Sequence, residues 1–266
     1  MGITYKYLLQ LQIAFNQIIH FKFLKLFVMK KMNFILQSKG GSGKSMLTYL
    51  LALKNEDNTQ SYFIDFDSSV KSSTQQLKFL QGRVPARFAK MNLLDDRGRI
   101  DRQRLFENLQ ILIQKPYEEF FLDFGAPESE QFTSLFSKDY TIEEFKQIAD
   151  ELDVEFIFNI VVAGGSSYLP CTNYLNNIAG LNQQNFSIII YINEFSFQNY
   201  KSLIEEIESY AKANSGNIHG VNYFGDFDTD AAPHKNILRY ISEGKGMNAY
   251  IFVEKIKIQK ELQKLP

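Results

Sequence analysis

Residues Gln37-Ser38-Lys39-Gly40-Gly41-Ser42-Gly43-Lys44-Ser45 gather three glycines, two lysines and three serines into nine positions. Glycines at this density let successive backbone N–H groups turn inward around a phosphate. A helix beginning at the end of such a loop adds the positive end of its dipole. Lys44 is then spaced to reach the β- and γ-phosphates of a nucleotide, and the Ser45 hydroxyl to ligate Mg²⁺. The usual phosphate-loop pattern has Gly where Ser38 stands; the segment carries the additional Lys39 instead. The chemistry needs a strand before the loop and a helix after it. The apolar run Phe34–Gln37 and the apolar helical stretch Met46–Lys54 supply both.

The elements that must hold such a loop are legible along the chain. Phe34–Gln37, Tyr62–Phe66, Phe120–Phe124, Glu155–Val162 and Ser187–Ile192 are short runs of Phe, Ile, Val and Leu with little polar alternation. Strands covered on both faces by helices have this composition, which predicts a parallel sheet. Tyr200, Leu203, Ile204, Ile207, Tyr210 and Ala211 recur at helical spacing and stop at Asn214-Ser215-Gly216. Thr141-Ile142-Glu143-Glu144 is a capping box that opens a helix running through Leu152. No repeat or linker divides the chain, so the reading is a single α/β domain with a three-layer, doubly wound, mostly parallel sheet.

Composition narrows the class further. The 266 residues carry 29 Lys plus Arg against 30 Asp plus Glu, a net charge of −1, so no global field draws a polyanion. Hydrophobic residues at 45% and charged residues at 22% are enough for a full core and argue against disorder. A single cysteine, Cys171, and three scattered histidines exclude a disulfide scaffold and a His/Cys metal site.

The stretch Lys39–Ser45 matches K-G-G-x-x-K-S/T, the deviant phosphate-loop signature of the ParA/MinD superfamily, and the chain resembles that family over roughly residues 32–195. Phe63-Ile64-Asp65-Phe66-Asp67 is similar to its Asp-x-Asp segment, and Phe121-Leu122-Asp123-Phe124-Gly125-Ala126-Pro127 to its Mg²⁺-side strand. A softer likeness is to the TraL/StbC-type ATPases of conjugative transfer and plasmid stability. It lies in Leu36–Gly41, Asp123–Ala126, Val162–Gly165 and Tyr191-Ile192-Asn193. The resemblance implies a P-loop NTPase fold, ATP and Mg²⁺ as ligands, and an ATP-dependent homodimer that engages a protein partner. It implies that Gly40, Gly41, Ser42 and Gly43 cradle phosphate and that Lys39 crosses to the partner subunit's phosphates, a charge role like an arginine finger's. It implies that Asp65, Asp123 and Ser45 serve Mg²⁺ and that Asp67 orients the attacking water. Relatives often place Pro after the second Asp; here Ser68 follows. Asn193 resembles a residue that reads adenine and equally fits a turn residue before Glu194. No guanine-reading Asn/Thr-Lys-x-Asp segment is present, so ATP is expected over GTP. The absence of a cysteine pair argues against the iron–sulfur carriers that share the loop.

The expected function is a nucleotide-switch ATPase in the cytoplasm. A non-hydrolysing nucleotide-dependent adaptor and a P-loop small-molecule kinase or synthetase are the alternatives. Non-specific DNA contact through surface lysines is left open, and membrane association is not expected. Residues 1–31 are apolar but broken by polar and basic residues, too interrupted to span a bilayer. They read as an added helix, or as sequence upstream of a start at Met29 or Met32, rather than as an interfacial helix; residues 32–266 form the ATPase domain. Asp226–Asp230 has calcium-loop spacing but lacks its Gly and Glu and reads as an acidic turn. Gly164-Gly165 reads as a loop that approaches ligand or partner, Cys171 as a buried structural residue, and the lysine-rich tail Met247–Pro266 as an element packed on the body.

Overall fold

The computed structural model describes residues 29–67 and 72–266. The reading of residues 1–31 as an extension falls almost wholly outside the described residues, as does Ser68. Seven strands form one sheet: β1 (Lys30–Leu36), β2 (Ser61–Asp65), β3 (Phe88–Lys90), β4 (Glu119–Asp123), β5 (Val154–Ala163), β6 (Ser187–Asn193) and β7 (Ile218–Phe224). Their order across the sheet is β3-β2-β4-β1-β5-β6-β7, and every pair is parallel. The first connection runs from β1 toward β2, and the later strands build outward on the other side of β1. The order therefore reverses beside β1, where open α/β sheets carry their ligand crevice at the carboxyl ends of the strands.

Helices cover both faces. On one lie α1 (Lys44–Lys54) and α2 (Ser72–Gln76), joined after the sheet is complete by α8 (Ala232–Glu243) and α9 (Phe252–Gln263). On the other lie α3 (Arg102–Ile113), α4 (Ala126–Lys138), α5 (Ile142–Glu151), α6 (Tyr168–Asn182) and α7 (Lys201–Ala213). The three-layer, doubly wound sheet expected from the apolar runs is thus present, with all of its strand pairs parallel. The capping box at α5 is formed: the Thr141 side chain accepts from Glu144 N and the Glu144 carboxylate accepts from Thr141 N.

The core on the α3–α7 side is a mesh of phenylalanines. Phe132 of α4 lies 5.6 Å from Phe34, Phe124 and Phe158, and 5.1 Å from Phe136, ring centroid to centroid. Most of these contacts are edge-to-face, the favoured arrangement for ring quadrupoles. The opposite face stacks Phe63 on Phe121 at 4.8 Å and is closed by the leucines of α1.

Three expectations shift. Strand β1 begins at Lys30, four residues before the apolar run, because the Lys30 ammonium reaches the carbonyls of Ile113 and Lys115 at 2.5 and 2.6 Å while Met32 enters the core. The polar letters Lys30, Lys31 and Asn33 hide that extension. β3 and β7 have no counterpart among the expected strands; they are the two sheet edges, one only three residues long and the other partly exposed and containing Gly220. The tail is a helix, α9, which buries Glu254, Ile258, Glu261 and Leu262 against the body. No helix of the described residues is long and apolar enough to cross a membrane.

Removing a ring from the mesh leaves a cavity bounded by stiff neighbours. Phe132→Ala should lower unfolding free energy by about 3–5 kcal/mol, read from urea titrations. Phe252→Ala, at a ring 77% exposed on α9, should stay within about 0.5 kcal/mol. Equal losses would show that the phenylalanine mesh is not what stabilises the sheet.

Candidate nucleotide-binding site

Gln37 directly follows β1 and ties the loop to the rest of the sheet. Its backbone N–H donates to Ser129 Oγ (3.2 Å) and its side-chain Nε2 to Val161 O on β5 (2.7 Å). Its Oε1 accepts from the Lys39 N–H (3.1 Å), and its carbonyl accepts from Lys44 Nζ (2.8 Å). One residue thus fixes the backbone at Lys39 and the ammonium of Lys44 together. The signal was a polar residue closing an apolar strand directly before the loop, with no role assigned to it.

Gly41 and Gly43 adopt φ of +75° and +106°, a region L side chains rarely enter. Position 43 is closed by space as well: a β-carbon there would lie 2.7 Å from Asn193 Nδ2 and 3.3 Å from Phe224 Cζ. Gly43 is the N-cap of α1 and no side chain caps it. The first N–H groups of that helix therefore open onto a cleft of about 320 Å³ lined by Gly40–Met46, Asp67, Gln76 and Ala126. An uncapped helix start approached through glycines is a fit for an anion of phosphate's size and charge.

Lys44 is buried in this cleft. Burial pushes its ammonium below the ordinary value of 10.5, opposed by the nearby carboxylates Asp123 and Asp67. Such a lysine gains by meeting a polyanion, which replaces the lost hydration.

Parallel register brings the acids together. Asp65 ends β2 and Asp123 ends β4 as direct partners, and Ile35, two residues before the loop, is Asp123's partner on β1. Asp65 is wholly buried; its carboxylate accepts from Asp67 N at 2.9 Å and from the Thr74 hydroxyl. Burial raises its pKa, with the Thr74 and Asp67 bonds working the other way. Asp67 reaches the cleft itself, while Asp65 is held behind it. A β-carbon on Gly125 would lie 2.9 Å from Asp67 Oδ1 and 2.1 Å from Glu128 Oε2, so both carboxylates converge on that glycine. Glu128, fully buried in the first turn of α4, was missed in the sequence. Its position three residues into a helix, where carboxylates favour the positive dipole end, was the available cue. Among the described residues no three His, Cys, Asp or Glu side chains form a metal cluster. A Mg²⁺ ion needs only one or two carboxylates when phosphates and waters complete its shell, so the donor set of Ser45, Asp65 and Asp123 is chemically suited to it.

On the other side of the loop, Asn193 ends β6 in register with Ala163 and Phe224. Its Nδ2 donates to Ser42 O (3.0 Å), which braces the loop from behind. Gly164 packs on the turn after β6, where a β-carbon would lie 2.4 Å from Ser196 O, and its N–H donates to Ser196 Oγ. Its loop thus approaches the chain's own backbone. Cys171 is fully buried beneath the loop with its thiol pushed up by burial. Asp226–Asp230 forms a turn closed by Asp228 N on His234 and Asp230 N on Asp228.

No family model and no curated protein sequence matches the chain. Among solved structures it is similar to a Borrelia burgdorferi B31 protein assigned to plasmid partition and solved with AMPPNP bound. That match has 14% identity, covers 89% of this chain and 97% of the other, and has a TM-score of 0.53. It is also similar to the MinC:MinD cell division protein complex of Aquifex aeolicus, at 14% identity over 88% and 95% of the two chains, TM-score 0.49. The chain shares the α/β P-loop fold of that plasmid partition protein.

Proposed function

We propose that the chain is a Mg-ATP-dependent nucleotide-switch ATPase of the ParA/MinD superfamily, of the TraL/StbC type, serving conjugative transfer or maintenance of a mobile element. The observation that carries this reading is the buried Lys44 beside a helix start without a side-chain cap, with Asp67 lining the cleft and Asp65 and Asp123 in register at the ends of β2 and β4. Nucleotide bound to a protein of the same fold supports the ligand class.

In this reading the N–H groups of Gly40–Ser45 and the Lys44 ammonium hold the β- and γ-phosphates. Lys39, its backbone set by Gln37, extends to the phosphates bound by a second copy in an ATP-dependent homodimer. Asp67 orients the water that attacks the γ-phosphorus in line as its bond to the β–γ bridging oxygen breaks; ADP leaves with that oxygen and the water's proton passes to the phosphate product. Ser45, Asp65 and Asp123 would hold Mg²⁺, the acids through water, and the ion would supply positive charge against the phosphates. Asn193 lies on the side where adenine would sit. Catalysis on this plan is positioning and charge stabilisation, and hydrolysis resets a state that a protein partner reads. The working unit is the domain read from residue 32 on, extended to Lys30 so that β1 is whole, in the cytoplasm, with DNA contact limited to non-specific attraction by surface lysines.

Lys44→Ala should abolish Mg-ATP binding in calorimetry. Lys39→Ala should keep binding while turnover falls at least about 10²-fold, the scale for loss of one charge-stabilising donor. A wild-type protein that binds Mg-ATP and never turns it over, alone or with added partners, would replace this reading with that of a non-hydrolysing adaptor. Turnover that depends on a small-molecule acceptor would replace it with that of a kinase.

The depressed pKa of Lys44 gives a second test. Only the cationic form binds phosphate well, so affinity should fall as pH rises through the lowered value, earlier than an ordinary lysine at 10.5 would allow. Binding in that window should take up a proton, detectable as a buffer-dependent enthalpy. Lys44→Arg, which stays charged, should lose that part of the pH profile; an unchanged profile would remove Lys44 as its source.

A further inference from the structure

The last helix of the chain reaches back to the loop ends of the two outer strands. Lys264 Nζ lies 2.5 Å from Glu194 Oε2, 2.7 Å from Glu261 Oε1 and 4.0 Å from Asp226 Oδ2. The other oxygen of Glu261, Oε2, accepts from the N–H groups of Gly225 (3.0 Å) and Asp226 (3.3 Å). Glu194 directly follows Asn193, and Gly225 directly follows β7. The Glu261–Lys264 pair therefore clamps the end of β6 to the end of β7, and Glu261 is itself buried.

These two strand ends stand against the phosphate loop. A β-carbon on Gly225 would lie 3.1 Å from Asn193 Oδ1 and 2.8 Å from Met46 Cε, and Met46 lines the cleft. Asn193 in turn bonds Ser42 O. A continuous set of contacts thus leads from the C-terminal segment to the loop.

The position of the acids says which half of a nucleotide this wall would meet. Asp65 and Asp123 lie on β2 and β4, on one side of β1, while Asn193 and Gly225 lie at β6 and β7 on the other. A triphosphate with its γ end and its metal toward the acids must run its nucleoside toward β6 and β7. We propose that Glu261 and Lys264 are positioning residues for the nucleoside half of the cleft, holding Asn193 and Gly225 at the spacing that forms its wall. The proposal rests on the nucleotide reading above and names the part of the chain that sets affinity for the nucleoside.

A clamp on the nucleoside side should matter for ATP and not for a ligand made of phosphates alone. Mg-ATP and Mg-tripolyphosphate are titrated calorimetrically into wild type, Lys264→Ala, Lys264→Arg and Glu261→Gln, with melting temperatures recorded for each. Lys264→Ala should weaken ATP about tenfold, a size that indirect positioning effects reach, and leave tripolyphosphate within about twofold. Lys264→Arg should restore ATP binding, because the cation returns. If Lys264→Ala melts too low for titration, Glu261→Gln carries the test, since it keeps one oxygen to accept from Gly225 and Asp226 and puts an amide NH₂, which cannot accept from Lys264, in place of the other. Equal weakening of both ligands, or no change in either, overturns the positioning role. Failure of wild type to bind tripolyphosphate and ATP alike overturns the nucleotide reading and this proposal with it.

Discussion

Asn193 packs against the turn at Gly43 so closely that a β-carbon there would lie 2.7 Å from its amide nitrogen. Much else in the cleft follows from that approach. A β-carbon in the turn would have to displace the Asn193 amide, and glycine also supplies the φ of +106° that swings the chain into α1. The helix then starts without a side-chain cap, and its first residues line the cleft together with Lys44. Asn193 is held in turn by the parallel register of β6 with β5 and β7. The loop is thus a product of sheet geometry as much as of its own residues.

The same geometry explains why several costly groups sit together. Burying Lys44, Asp65, Asp123 and Glu128 removes their hydration, and interiors tolerate this only where the charges meet partners. The register Asp65↔Asp123 fixes two of the acids as neighbours. The phenylalanine mesh under the sheet, centred on Phe132, packs against Phe34 of β1, Phe124 just after β4 and Phe158 of β5 and backs the centre of the sheet.

The sequence carried the loop, the central strands and the side of the sheet on which the acids lie, because each has a local signature: glycine density, continuous apolar runs, or an aspartate closing such a run. Other features have no local signature. β7 and β3 are edge strands whose residues face solvent in part, so their apolar pattern is diluted. The start of β1 is written in lysines because its ammonium meets carbonyls from residues 113 and 115, about eighty positions away. Gln37, Thr74, Glu128, Glu261 and Lys264 act through partners on other elements, and a residue type alone does not reveal such a partner. Gly164 illustrates the converse, a conspicuous glycine whose neighbour is the chain's own Ser196 carbonyl.

A phosphate-binding turn built on glycine has a direct test in Gly43→Ala, a change of one methyl group. Calorimetric titration of Mg-ATP into wild type and variant, with melting temperatures to show that both are folded, compares them where the clash is local. The expected result is a folded variant whose affinity falls by about 100-fold or more, equivalent to about 2.7 kcal/mol or more of lost binding. A folded Gly43→Ala protein that binds Mg-ATP as tightly as wild type would contradict the assignment of this turn as the phosphate cradle.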